Sequence, residues 1–244
     1  MHAVNIWHLF DLHRAQVTLV LLLLFVATGF TPAVGQGKGY VRKHLEFYDD
    51  KPLHFGFLFA MPVTRYSVRT DDSYVGDSTL ALYSPVTTAF RMGFTISTVL
   101  SPEFDLRTTP SVTLYGRTVT YEYPNRKLDK VRESTWVEVP LLLKYKSKRR
   151  ANTRMYLLAG TTFGIETNVK NKIRFGAEQL NTKRADITLD YGVGLERFFE
   201  FFKLAPELRF SHGLFNMLNS TGVRTMPGAA RVTTHTVTLY LNFE

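Results

Sequence analysis

Val137-Glu138-Val139-Pro140-Leu141-Leu142-Leu143-Lys144-Tyr145 is the stretch that decides the fold. Its odd positions, Val137, Val139, Leu141, Leu143 and Tyr145, form an unbroken apolar row, while Glu138 and Lys144 occupy even positions. Successive side chains of a β-strand point to opposite faces, so this spacing describes a strand with one greasy face and one charged face. A helix with a repeat of 3.6 residues would mix the two sets.

The same alternation recurs along the chain. Phe55, Phe57, Phe59 and Met61 oppose His54, Gly56, Leu58 and Ala60; Phe90, Met92, Phe94 and Ile96 oppose Arg91, Gly93, Thr95 and Ser97. Ile187, Leu189, Tyr191, Val193 and Leu195 oppose Asp186, Thr188, Asp190, Gly192, Gly194 and Glu196. The runs predict eight strands, at 54–68, 88–99, 106–121, 134–145, 153–166, 185–198, 203–211 and 232–243. The gaps between them are alternately long and short, the pattern of an up-and-down barrel with two unlike ends. Pro62, Pro110, Pro140 and Pro206 fall within predicted strands; because proline cannot donate to a ladder, bulges or shortened strands are expected there.

Which face points inward decides where the barrel lives. A soluble barrel buries its apolar face, and a membrane barrel turns it outward. Here the polar face is rich in Gly, Ser and Thr with charges of both signs, which suits a narrow eight-stranded interior better than a solvated surface. The final strand closes with Tyr240-Leu241-Asn242-Phe243-Glu244, a near-terminal aromatic that resembles the signal read by the outer-membrane insertion machinery. The expectation is an all-β, eight-stranded antiparallel transmembrane barrel in the outer membrane.

The N-terminus reads as an export signal. Arg14 precedes an apolar run from Ala15 to Ala27, followed by small residues at Ala33 and Gly35. The chain is thus expected to divide into a signal peptide (1–35), a periplasmic segment (36–53) and the barrel (54–244). Formal charge is +9 from 30 basic and 21 acidic residues. In an exported chain this points to anionic lipid or lipopolysaccharide headgroups, not nucleic acid. Lys170, Lys172, Arg174, Lys183 and Arg184 in the outer gaps are candidates for such contacts. With no cysteine, disulfides and thiolate chemistry are excluded.

The inward set contains Arg91, Arg107, Arg117, Lys144 and Arg209, with Glu138, Asp186, Asp190, Glu196 and Glu207 of opposite sign. In a narrow lumen these groups are expected to pair, because an unpaired buried charge is costly. The pairing makes a structural plug or a gate. A second cluster, Lys146, Lys148, Arg149 and Arg150, is expected as a solvated basic turn at the periplasmic end. Ser211, His212 and Glu207 are the residue types of an acyl-hydrolysing site, but adjacent strand residues face opposite ways, so Ser211 and His212 do not meet; His235 is the alternative base. No catalytic role, metal or cofactor is expected.

Several of these segments resemble the PorT family. They are Phe104-Asp105-Leu106-Arg107-Thr108-Thr109-Pro110, then Arg117 and Tyr121, and Val137 through Ser147. Ala159-Gly160, Asp190-Tyr191-Gly192-Val193-Gly194-Leu195-Glu196 and Pro206-Glu207-Leu208-Arg209-Phe210-Ser211 extend the match. Thr108 and Ser111 depart from it, where that family usually carries an aromatic residue and a glycine. The resemblance implies an outer-membrane barrel of Bacteroidetes that serves the type IX secretion system, with other components of that system and, indirectly, its cargo as partners. The alternative is a structural or adhesive barrel of OmpA or OmpX type.

Overall fold

The computed structural model describes residues 43–70, 81–122, 127–167, 182–218 and 229–244. The proposed signal peptide, the start of the 36–53 segment, and Lys170, Lys172 and Arg174 lie outside the described residues. Eleven strand segments appear: β1 (Leu53–Thr70), β2 (Ala81–Tyr83), β3 (Thr87–Thr88), β4 (Phe90–Val99), β5 (Phe104–Thr108), β6 (Ser111–Glu122), β7 (Lys127–Lys146), β8 (Thr153–Glu166), β9 (Ala185–Phe198), β10 (Lys203–Gly213) and β11 (Ala229–Phe243). Because β2 to β4 form one irregular stave and β5 with β6 another, the segments make eight staves. All pair antiparallel with their chain neighbours, and β11 returns to β1, closing the ring.

The faces follow the alternation in the sequence. Phe57, Leu141, Val193 and Leu239 are 48%, 58%, 37% and 47% exposed on the outer wall. Glu138, Asp190 and Arg209 are 8%, 2% and 1% exposed, turned into the barrel. On β1 the outward residues run Leu53, Phe55, Phe57, Phe59, Met61 and Val63. Ten residue steps at ~3.3 Å, tilted by roughly 40°, give an apolar band about 25 Å tall, the height of an outer-membrane hydrocarbon layer.

The prolines are accommodated without the expected bulges. Pro62 keeps its partner Thr238 on β11, but pairing on its other flank lapses opposite Ala89, between Ala60↔Arg91 and Val63↔Thr88. Pro110 splits its stave into β5 and β6, and Pro140 stands across that break, between Leu141↔Thr108 and Glu138↔Ser111. Pro206 pairs with Leu241 while its β9 flank lapses between Leu204↔Arg197 and Glu207↔Gly194. Register is unchanged across each lapse. A proline lacks only one donor, so omitting one ladder rung costs less than inserting a residue that would rotate the rest of the strand.

The expected outer gap at 122–133 is mostly strand. β6 and β7 stay paired to Glu122↔Lys127 and project beyond the apolar band. Thr120 Oγ1 donates to Asp129 (2.6 Å), and Lys127 pairs with Glu122 (2.8 Å) near the tip.

Candidate functional site

The lumen holds the densest chemistry, in two layers. In the layer nearer the short turns, Glu196 accepts from Lys144, Arg154 and Lys203 (the last at 2.9 Å). Glu207 accepts from Arg209 (2.5 Å), Arg107 (3.3 Å) and the Tyr156 hydroxyl (2.8 Å). Glu244 accepts from Arg107 (2.9 Å), Lys203 (2.7 Å) and the Tyr48 hydroxyl. Asp105 lies 2.6 Å from Lys146. Arg107 and Lys203 are shared between carboxylates, so the groups form one connected body. Burial opposes ionisation of Glu244, but Lys203 and Arg107 outweigh it and hold its carboxyl well below the usual carboxylate range. Close packing here depends on Gly194: Tyr156 lies over it, in space a Cβ would occupy.

Residues 43–52 lie against this layer from below. Tyr48 stacks on His54 (centroids 4.0 Å apart), and Asp49 pairs with Arg154 (2.8 Å). The His44 amide donates to Asn152 (2.9 Å). Burial and the adjacent Glu244 carboxylate push the Tyr48 phenol far above its ordinary value, so it donates as a neutral hydroxyl. The N-terminal approach to the barrel is therefore pinned across its lower mouth.

The upper layer is built differently. Arg91 donates to Thr113 (2.8 Å), Tyr115 (2.8 Å), Tyr240 and Glu138. Glu138 also accepts from Thr113 and Tyr115 (3.0 and 2.9 Å). Arg117 has no ion pair among the described residues; its guanidinium sits in an aromatic cage of Tyr115 (3.9 Å), Tyr66 (5.3 Å) and Trp136 (5.6 Å). Asp190 accepts from Thr162 (2.5 Å) and Thr188 (2.7 Å), and Asp186 from Thr234 (2.6 Å). Between Arg91, Arg117, Asp186 and Asp190 lies a cavity of about 20 Å³, room for roughly one water. Above it, Met217, Val119, Tyr121 and Val232 join Tyr66, Tyr115 and Trp136 in an apolar cluster. Met217 reaches this cluster from the segment after β10, held by its amide to Val232 (2.8 Å).

A closed ring of this kind, greasy outside and charged inside, matches a known family. The model of the outer membrane protein beta-barrel domain covers residues 36–219. The chain belongs to that family. It is an outer-membrane barrel, a class whose short turns face the periplasm. No curated protein matches it in sequence. Among solved structures it is similar to OprG of Pseudomonas aeruginosa (12% identity, 78% of this chain and 92% of that one, TM-score 0.49). Neisserial surface protein A matches at 12% identity over 79% and 98% of the two chains (TM-score 0.43). The Ail protein of Yersinia pestis matches at 12% over 78% and 96% (TM-score 0.37).

Within this family member all ten charged residues singled out from the sequence are interior. They do not form five simple pairs. Arg107, Lys144, Glu196, Glu207 and Arg209 join the lower body, Arg91 and Glu138 pair above, and Arg117, Asp186 and Asp190 are held by rings or hydroxyls. Asp105, Lys146, Arg154, Lys203 and Glu244 complete the network and were not anticipated; each lies within a few residues of the edge of a predicted run.

The basic turn is corrected. Lys146 has the same parity as Lys144, so it turns inward to Asp105 instead of joining a solvated cluster. Arg149 lies over the Phe198 ring (3.8 Å) and donates to the carbonyls of His44 and Leu45. Only Lys148 and Arg150 are exposed. Ser211 lines the inner cavity, whereas His212 and His235 meet each other on the outer wall (Nδ1 to Nδ1, 2.7 Å). Glu207 is committed to Arg209 and Arg107. The wall of the barrel separates these groups.

Proposed function

We propose that this barrel is a non-enzymatic component of type IX protein secretion, acting as a scaffold of the translocon and not as its conduit. One observation carries the reading: the segments that resemble the PorT family converge on a single structure. Asp105, Arg107, Lys144, Lys146, Glu196, Glu207 and Arg209, scattered over four such segments, are all members of the lower ionic body. Among the described residues the lumen is packed with charged and aromatic side chains around a cavity of about 20 Å³, too small for a polypeptide, which supports a scaffold over a channel. Other secretion components and, indirectly, sorting-domain cargo are the partners this reading implies. Since Lys146 turns inward to Asp105 and Arg149 donates to the His44 and Leu45 carbonyls, Lys148 and Arg150 are the members of the basic turn left exposed for docking.

Deleting the gene tests the proposal. Loss of sorting-domain proteins from the medium, restored by the intact gene, supports it. Normal export with altered surface adhesion supports instead an OmpA- or OmpX-type structural barrel, a reading favoured by the filled lumen alone. A changed lipid A mass spectrum would point to an enzyme and overturn both.

A further inference from the structure

The outer wall changes character abruptly at one height. Above the apolar band, the outward residues of β1 are Arg65, Ser67 and Arg69. They pair directly with His235, Thr233 and Arg231 of β11, and His235 pairs in turn with His212 of β10. Arg65 thus faces His235 and Arg69 faces Arg231, although two like charges directly across a ladder, as in the Arg69–Arg231 pair, repel. Among the described residues none of these arginines has a carboxylate partner; Arg231 donates to the Leu214 carbonyl (3.2 Å). The outward positions of β9 beside them are Ala185, Ile187, Leu189 and Tyr191. Beyond the band on β7 the outward residues are instead Thr135, Glu133, Val131, Asp129 and Lys127, of mixed character with Lys127 paired to Glu122, so the run of arginines without carboxylate partners lies on the β1–β11 side among the described residues.

We propose that this patch binds the phosphorylated headgroup of an outer-leaflet glycolipid. Charge and geometry both select that occupant. Guanidinium forks take phosphate oxygens in pairs, and the Ser67 and Thr233 hydroxyls between the two arginine rows add neutral donors. A phosphate between Arg69 and Arg231 converts a repulsive cross-strand pair into an attractive cluster. Directly below, Met61, Val63, Val237 and Phe210 offer an apolar wall for the lipid's acyl chains, which a soluble anion lacks. The tyrosine–histidine chain (Tyr191 hydroxyl to His212 Nε2, 3.0 Å; His212 to His235) fixes the edge of the site. The inference rests on the outer-membrane placement and is independent of any role in secretion.

The test is native mass spectrometry of the full chain folded in detergent, titrated with diphosphoryl lipid A, with fully dephosphorylated lipid A, and with inorganic phosphate. The diphosphoryl lipid is expected to bind one per barrel, with the dephosphorylated form weaker by on the order of tenfold or more, and inorganic phosphate not competing. The R65Q/R69Q/R231Q variant should lose a similar factor, R65K/R69K/R231K, which keeps the charge but not the fork, should fall between that variant and the parent, and K51Q/K148Q/R150Q should bind as the parent does. Heat-modifiable gel mobility establishes that each variant is folded. Undiminished binding by the glutamine variant, equal loss in the periplasmic control, tight binding of the dephosphorylated lipid, or competition by inorganic phosphate would overturn the proposal.

Discussion

The two layers of the lumen settle the same physical problem by different means. Below, Glu196, Glu207 and Glu244 draw on Arg107, Lys144, Arg154, Lys203 and Arg209, so each of the three carboxylates has several partners. Above, Arg117 is held by aromatic faces and Asp186 and Asp190 by threonine hydroxyls, beside a small cavity. Removing charges from water is expensive, and it is offset only where geometry supplies full compensation. The lower layer achieves this through shared ion pairs and behaves as a keystone. The upper layer supports Arg117, Asp186 and Asp190 with rings and hydroxyls in place of opposite charges, which makes it the softer half.

The strongest way to break this contrast is to empty the centre of the lower body. Glu196→Gln leaves Lys144, Arg154 and Lys203 buried with reduced compensation and should cost about 3–5 kcal/mol of folding stability, read from urea unfolding in detergent. Glu138→Gln above should cost less, about 1–3 kcal/mol, since Arg91 retains Thr113, Tyr115 and Tyr240. If the two losses are equal, the layers are not distinct. Gly194→Ala drives a methyl into the Tyr156 ring and should cost about 1–3 kcal/mol by overpacking; the same substitution at Gly116, where no atom lies within 4 Å of the added Cβ, should lack that steric penalty.

Smaller effects sharpen the boundary between barrel and N-terminal segment. Tyr48→Ala removes the ring stacked on His54 and the donor to Glu244, and should lower stability by roughly 1–2 kcal/mol. It should also speed protease cleavage within 43–52 while the barrel keeps its folded mobility. Acid acts on the same joint. Glu244 is held below its ordinary value by Lys203 and Arg107, so its contribution is fully present above the unfolded value of about 4.3 and is lost as pH falls through the folded one. Unfolding midpoints should therefore be flat from pH 8 to about 5 on this account and decline below. Glu244→Gln should flatten part of that decline.

Much of the fold was legible because one period-two pattern is enforced by two unlike solvents, hydrocarbon outside and a packed charged lumen within. Phe55 to Met61, Val137 to Tyr145 and Ile187 to Leu195 each declare their faces without any tertiary information. Boundaries were harder. Lys146 and Asp105 belong to strand faces by parity, but each sits at the edge of a basic or polar turn that masks the alternation. Arg154 follows Asn152 and Thr153, a start polar on both faces. The prolines misled in part, Pro110 shortening its strands as expected but no bulge forming elsewhere, since the sequence marks a missing donor but not which neighbouring strand would have received it. The pairing of individual charges depends on barrel stagger, which local pattern does not encode, so Arg117 read as one half of an ion pair when aromatic rings hold it.

The central claim is that the alternation separates lipid from lumen, and the absence of cysteine allows it to be tested one thiol at a time. Single cysteines at Val139, Leu141, Leu142 and Leu143, each carrying a small environment-sensitive fluorophore attached before refolding into bilayers with brominated lipid, report which side chains touch hydrocarbon. Strong quenching at 139, 141 and 143, with weak quenching or failure to fold at 142, is the predicted result. Uniform quenching across the four positions, or quenching at 142 alone, would contradict it.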